Sequence, residues 1–276
     1  MGNLSGSNLG QAGRSTHPDD YQEVSRPVAV MAKFYARGTE VLEHRHKRDQ
    51  LIYAKSGVMR VATKHETWIV PPDRAVYILA GTQHTVSMRG DVEMRTLYID
   101  PFCGKNLPKT LGVFEVSMLL EALILNLQAE PIDYEIQGRG GDMVRLILSE
   151  ITSAKSLSLT IPMPRDRRLY QLCNILLNDP QRSETLDAWS VIVGASSRTL
   201  LRLFISETGL SFSAWRQRVR FHNALEALVQ GESVNKVARA NGYQSPSAFS
   251  HSFQKVIGAT PSSLKNTSKR SGLSSR

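Results

Sequence analysis

The feature that most constrains this chain is a repeat near its C-terminus, in which a short helical segment, a glycine and a second helical segment ending in phenylalanine occur twice. In the first copy Asp187, Trp189, Ile192 and Val193 form a helix-length pattern that stops at Gly194, and Leu200, Leu203 and Phe204 resume it. In the second copy Val234, Val237 and Ala238 precede Gly242, and Ser245-Pro246 opens a run through Phe249 and Phe253. The copies lie 48 to 49 residues apart, with a glycine-to-phenylalanine spacing of 10 residues and then 11. Each predicts helix, tight turn, helix. Glycine suits the turn because it takes positive φ freely, and the small Ser190 lets the following helix approach. Ser196 or Ser197 caps the next helix, and Pro246 sits at a first helical position whose N–H has no intrahelical partner.

Between the copies, Phe212 to Gln230 carries a helical stripe of Trp215, Val219, Leu225 and Leu228, with Arg216, Arg218 and Arg220 mostly off it. A helix of about 18 residues spans roughly 27 Å. That is close to the roughly 34 Å between successive major grooves on one face of DNA, so one chain can lay both second helices on the same side of a duplex. Charge agrees with this reading. Residues 1–164 hold 18 Lys+Arg and 18 Asp+Glu, so the formal net charge of +9 falls wholly in residues 165–276. A basic domain joined to a neutral one is the footprint of a polyanion binder.

The segment from Leu186 to Leu264 resembles the DNA-binding domain of the AraC/XylS family of bacterial transcription regulators. The likeness rests on Leu203 to Arg220 (LFISETGLSFSAWRQRVR) and on Val237 to Leu264, with its Gly-Tyr-x-Ser-x-Ser-x-Phe-x-x-x-Phe-x-x-x-x-Gly-x-x-Pro pattern. The resemblance makes Arg198, Leu201 and Arg202 the groove-facing residues of the first recognition helix, and Ser247, Ser250 and His251 those of the second. Arginine donates two bonds to guanine, whereas serine and histidine read less selectively, so the first helix is expected to discriminate more. Leu201 is left to meet a thymine methyl or a sugar, and Arg198 and Arg202 have phosphate clamping as an alternative role. Trp215, Phe204 and Phe253 are expected in the core.

Residues 27–100 alternate in short apolar runs (VAVMAKFYA, QLIYAKSGVMRVATK, ETWIVPPDRAVYILA, HTVSM, VEMRTLYI) broken by turns, the pattern of a β-sandwich or barrel. Gly38, His44-Arg45-His46, Gln50 and Gly57 resemble the first motif of the cupin superfamily, with Gln50 where glutamate is usual. Leu79-Ala80-Gly81-Thr82-Gln83-His84 resembles the second, with leucine for a common proline and Met88 for its final polar residue. In metal-bearing cupins the matching His44, His46 and His84 are ligands, and strand alternation would turn His44 and His46 to one face. Three imidazoles suit Zn, Fe, Ni, Mn or Cu, while a neutral Gln50 is a poorer ligand than a carboxylate. Three readings stay open for His44, His46, Gln50 and His84: a divalent transition metal, a small organic effector, or packing.

The expected organisation is α+β with two domains, a cupin-like β-barrel followed by an all-α domain with two helix-turn-helix units. Residues 1–24 form a disordered tail, 25–104 the effector domain, 105–160 a helical dimerisation and linker region, 165–265 the DNA-binding domain and 266–276 a flexible tail. Within 105–160, Val113 to Leu127 and Asp142 to Ile151 read as helices, and LSLTIPMPRD near 157–166 as a linker stopped by its two prolines. Met118, Leu119, Leu120, Leu123, Ile124 and Leu127 are too many apolar residues for one narrow stripe, so this helix is expected either to form a homodimer or to pack on the barrel. Two distant cysteines give no disulfide framework, and neither a membrane span nor an export signal is apparent, which places the protein in the bacterial cytoplasm at the nucleoid. The expected partners are operator DNA, a small-molecule effector and, if the protein activates, RNA polymerase.

An enzymatic cupin would need a metal with open positions; the departures at Gln50, Leu79 and Met88 and the fusion to a DNA reader argue against it. A constitutive, effector-independent repressor is the other alternative. RDQLIYAKSGVMRV and VPPDRAVYILAGTQH resemble most a subgroup of regulators that often control efflux-transporter genes.

Overall fold

The computed structural model describes residues 14–104, 106–157, 159–258 and 260–264. Two compact units divide the chain: one holds the residues up to Met59 and Val70–Leu157, the other Arg60–Ile69 and the chain beyond Leu157.

The first unit is built on β1 (Val28–Tyr35), β2 (Glu40–His44), β3 (Asp49–Ser56), then, beyond the hairpin of β4 (Met59–Ala62) and β5 (Glu66–Val70), on β6 (Arg74–Ile78), β7 (His84–Met88), β8 (Val92–Ile99) and β9 (Gly112–Glu115). Helices α1 (Met118–Ala129) and α2 (Arg139–Ser153) follow, and β10 (Ser156–Leu157) ends the unit. A six-stranded sheet runs in the order β1-β8-β3-β6-β9-β10. Its two faces are both covered, so β3 is buried along most of its length instead of alternating. Leu51, Tyr53, Leu97 and Ile99 point at α1 and α2, where they join Leu120, Leu123, Ile124, Leu127 and Ile147 in one core. The neighbouring positions Gln50, Ile52, Thr96 and Tyr98 point the other way, across a cavity to the β2–β7 ladder. The arrangement is a sandwich, not a closed barrel.

Three sequence expectations change here. Residues 14–24 are not a disordered tail: a 3₁₀ turn at Pro18–Tyr21 buries Tyr21 completely, its ring stacked 5.6 Å from Tyr98. Arg48 fixes this segment by donating to the carbonyls of Gln22, Val24 and Arg26. The helix expected from Val113 starts only at Met118, because Gly112–Glu115 pairs with β6 in register Ala75↔Phe114. The second helix starts at Arg139, ahead of Asp142, and Gly140 and Gly141 permit this. A Cβ on Gly141 would lie 1.8 Å from the Ile136 carbonyl oxygen, and one on Gly140 2.5 Å from Tyr134. The tail expected at 266–276 and residues 1–13 lie outside the described residues.

In the second unit the presumed linker is also a strand, β11 (Thr160–Pro162), which pairs with β5 in register Thr160↔Trp68. Pro162 ends that strand, as a residue lacking an N–H can at a sheet edge. Helices α3 (Arg167–Asn178), α4 (Leu186–Val193), α5 (Ser197–Leu203), α6 (Phe212–Val229), α7 (Val234–Ala240) and α8 (Pro246–Ile257) complete it, with a π-helical turn at Phe204–Thr208 prolonging α5. Thr185, Ser196, Ser211, Ser233 and Ser245 each accept an N–H from the third residue of the helix they cap. Gly194 and Gly242 take φ of +68° and +79° at the two turns. No single helix among the described residues is long and apolar enough to cross a membrane.

Candidate nucleic-acid interface and histidine centre

Each helix-turn-helix unit stands on its own aromatic core. Trp189, Leu200, Phe204 and Trp215 are fully buried in the first. In the second, Phe221 gathers Tyr243, Phe249 and Phe253 at ring-centre distances of 6.1, 5.8 and 5.6 Å. Trp215, Phe204 and Phe253 are therefore core residues, and the faces of α5 and α8 away from these rings remain in solvent.

On α5, Arg198, Leu201 and Arg202 are all exposed, and neither guanidinium has an ion-pair or hydrogen-bond partner among the described residues. Spacings of three and four residues put them on one helix face. On α8, Ser247 and His251 are exposed, but Ser250 is half-buried and its hydroxyl donates to the Pro246 carbonyl at 2.8 Å. His251 borders an open cleft with Gln217 and Lys255.

The basic excess divides in two. Arg216, Arg218 and Arg220 on α6 are spent on the fold: Arg216 donates to Glu184 O, Arg218 to Thr160 O, and Arg220 to Pro180 O and Arg182 O. Trp215 Nε1 donates to Pro162 O at 2.8 Å, so α6 holds β11 at two carbonyls. Arg198, Arg202, Arg239 and Lys255 stay in water.

In the first unit His44, His46, Gln50 and His84 meet at one end of the sandwich. His44 ends β2 opposite His84 on β7, while His46 lies beyond the strand, so the two motif histidines converge through the irregular register at Val41/His44 and not by simple alternation. Ring centres are 4.8 Å apart for His44 and His46, 4.3 Å for His44 and His84, and 5.7 Å for His46 and His84. His44 Nδ1 donates to Leu42 O at 2.7 Å and His84 Nδ1 to Thr82 O at 3.0 Å. Since a carbonyl only accepts, both rings carry a proton on Nδ1 and turn Nε2 away from these carbonyls. Burial is the main cause that lowers both the His46 and His84 pKa to about 4, so both are neutral near pH 7.

Three buried polar atoms here have no hydrogen-bond partner among the described residues: His46 Nε2, His84 Nε2 and Gln50 Oε1. They line a cavity of about 40 Å³ that Pro18, Ile52 and Tyr98 help to close. The ligand atoms of His44, His46 and His84 all lie within 4.8 Å of one another. A tetrahedral shell with metal–nitrogen bonds of 2.0–2.1 Å has edges of about 3.3 Å, so side-chain rotation must draw the rings inward. Sequence reasoning did not single out Tyr98, whose hydroxyl takes a hydrogen bond from Gln50 and whose ring stacks on Tyr21. The alternation of Met94, Thr96 and Tyr98 along β8 was the available signal.

Comparison with known proteins places both halves. Residues 189–267 match the family described as "Helix-turn-helix domain", and residues 33–100 the family described as "Cupin domain". The HTH-type transcriptional regulator NimR of Escherichia coli (strain K12) is 30% identical over 247 residues, covering 88% of each chain. The HTH-type transcriptional regulator RipA of Corynebacterium glutamicum is 34% identical over 105 residues, or 38% of this chain and 32% of that one. Among solved structures, ToxT from Vibrio cholerae aligns with 88% of this chain and 99% of its own at 9% identity, with a TM-score of 0.36.

Proposed function

As a member of the AraC/XylS family of transcriptional regulators, the chain is a DNA-binding protein with a cupin domain, and we propose that a divalent transition metal held by His44, His46 and His84 governs its DNA binding. The observation that carries this reading is the set of three buried polar atoms, two imidazole nitrogens and one amide oxygen, that have no hydrogen-bond partner among the described residues and surround one small cavity. An unpaired buried polar group costs about 1–3 kcal/mol, and a cation that takes lone pairs from these residues relieves that cost. Pockets for organic ligands measure roughly 300–1,000 Å³. A cavity of about 40 Å³ has room for an ion and a water, not for such a molecule.

His44, His46 and His84 would be the ligands, with Gln50 Oε1 the nearby neutral oxygen. A bound ion supplies a cross-link between β2, β7 and the turn carrying His46. The Nδ1 hydrogen bonds to Leu42 and Thr82 orient two of the rings beforehand, the usual outer support of a histidine ligand. At the reader, Arg198 and Arg202 donate to guanine edges and the second recognition helix makes the weaker contacts through Ser247, Ser250 and His251. The exposed Met118 and Leu119 on α1 support a homodimer formed through that helix, which would set two half-sites. The compartment is the bacterial cytoplasm, at the nucleoid; a transporter gene is the proposed target, and RNA polymerase the partner if the protein activates.

The test is selection of bound sequences from a random DNA pool by the full chain, run after chelation and again with Zn²⁺. An enriched pair of half-sites whose affinity changes by about 5- to 150-fold with metal, a typical coupling between two sites, supports the reading. The change should vanish in a His44→Ala/His46→Ala chain that still binds DNA. Equal affinity in both conditions refutes metal control, and the absence of an enriched motif refutes the operator reading.

A further inference from the structure

The reader face of α5 is longer than its three expected residues. Ile205, the next residue along at the same helical spacing, is 58% exposed, and Leu201 is 50% exposed. The other apolar residues of this stretch, Leu200, Leu203 and Phe204, are buried. At 3.6 residues per turn, Arg198, Leu201 and Arg202 fall within an arc of about 100°, and Ile205, in the π-helical turn that prolongs α5, continues the exposed face. Leu201 and Ile205 share this exposed face with the two arginines, which have no partner among the described residues. The outward face of this helix is thus two cations and two branched aliphatic side chains in adjacent rows.

We propose that Leu201 and Ile205 form an apolar ridge that reads thymine 5-methyl groups in the major groove, making Ile205 a further specificity-determining residue. The arginines on the same face select the occupant: a surface carrying two free guanidiniums is complementary to the phosphates and guanine edges of DNA. Within the major groove the thymine 5-methyl is the apolar group that an A·T pair offers to a side chain and a G·C pair does not. One turn of helix separates the two residues by about 6 Å, close to two base-pair steps of 3.4 Å. The ridge therefore reads two thymines spaced along the half-site, beside the guanines taken by Arg198 and Arg202. This inference rests on the DNA-reading role proposed for α5.

The experiment uses the full chain and the sequence it enriches from the random pool. Each thymine of the half-site is replaced in turn by deoxyuridine, which lacks only the methyl, and Kd is measured by fluorescence anisotropy at fixed salt. At one or two positions the loss is about fourfold, the weight of one buried methyl-sized group. Leu201→Ala and Ile205→Ala each erase the effect at one of those positions and leave the deoxyuridine-substituted site as well bound as the thymine site. An enriched operator in which every deoxyuridine is silent overturns the ridge while leaving the regulator reading intact; that measurement needs no variant. Dependence on deoxyuridine that persists in both alanine chains also overturns it. A chain that enriches no sequence refutes the DNA-reading premise and the ridge together.

Discussion

Replacing His84 by leucine separates a metal centre from a packing histidine by the sign of its effects. His84 is 1% exposed, its Nδ1 donates to Thr82 O at 3.0 Å, and its Nε2 has no partner among the described residues. In the metal-free protein the substitution gives up one hydrogen bond, worth about 0.5–1.5 kcal/mol, and removes an orphaned acceptor that costs about 1–3 kcal/mol. The metal-free variant is therefore expected to be as stable as the parent or about 1 kcal/mol more so. With metal at 100 times its Kd, the parent gains about 2.7 kcal/mol. For a chain of this size that raises Tm by about 5–10 °C. The leucine variant loses this gain. The assay is thermal unfolding of the full chain, parent and variant, after chelation and with Zn²⁺ added. Two outcomes refute the reasoning: a parent whose Tm ignores every divalent metal tested, or a metal-free variant destabilised by more than about 3 kcal/mol, which would mean that His84 packs and pairs better than its bare Nε2 allows.

Arg202→Ala is expected to cost about 1–3 kcal/mol at one base pair of the operator if the guanidinium reads guanine; an equal loss across all operator variants, measured by competition binding, identifies a phosphate clamp instead. His222 is 1% exposed on α6, neither ring nitrogen is paired among the described residues, and burial lowers its pKa to about 3. The unfolded chain takes up a proton at this residue near pH 6.5 and the folded chain does not, so stability falls as pH drops from about 6.5 towards 3 and is unaffected by this group above that window. Between pH 7 and pH 5 the loss is about 2 kcal/mol, and urea unfolding should show it missing from His222→Leu. Gly57 has φ of +82°, and a Cβ there would sit 2.2 Å from the Asp91 carbonyl oxygen. Gly57→Ala should therefore destabilise by at least about 2 kcal/mol in a thermal melt, and a change under 0.5 kcal/mol would show that the β3–β4 turn relaxes freely.

The helical half was legible because its determinants are local. A serine caps the N–H groups three residues away, a glycine turns the chain where it stands, and a stripe of Trp215, Val219, Leu225 and Leu228 defines the inner face of α6 without reference to any distant residue. The same holds for the identities of the chemistry-bearing side chains: His44, His46, Gln50 and His84 were recognisable from spacing, as were Arg198 and Arg202. Which of them remain available was not legible. Arg216, Arg218 and Arg220 read as surface charge in sequence, yet each is bound to backbone carbonyls at least 32 residues away, whereas Arg198 and Arg202 have no partner among the described residues.

Tertiary structure decided everything that depends on pairing at long range. Val113 and Phe114 are apolar enough for either a helix or a strand, and their partners in β6, nearly 40 residues back, made them strand. Tyr21 lies in a stretch poor in apolar residues, and it is buried because its ring stacks on distant Tyr98 and its turn packs on β1. Above all, sequence named three histidines and a glutamine but left their purpose open among metal, organic effector and packing. The volume they line and the polar atoms they leave unpaired among the described residues are properties of folded space, set by Pro18, Ile52 and Tyr98 as much as by the motif. A motif specifies which atoms can bind; how much room surrounds them is fixed only when non-adjacent strands and the N-terminal segment close over it.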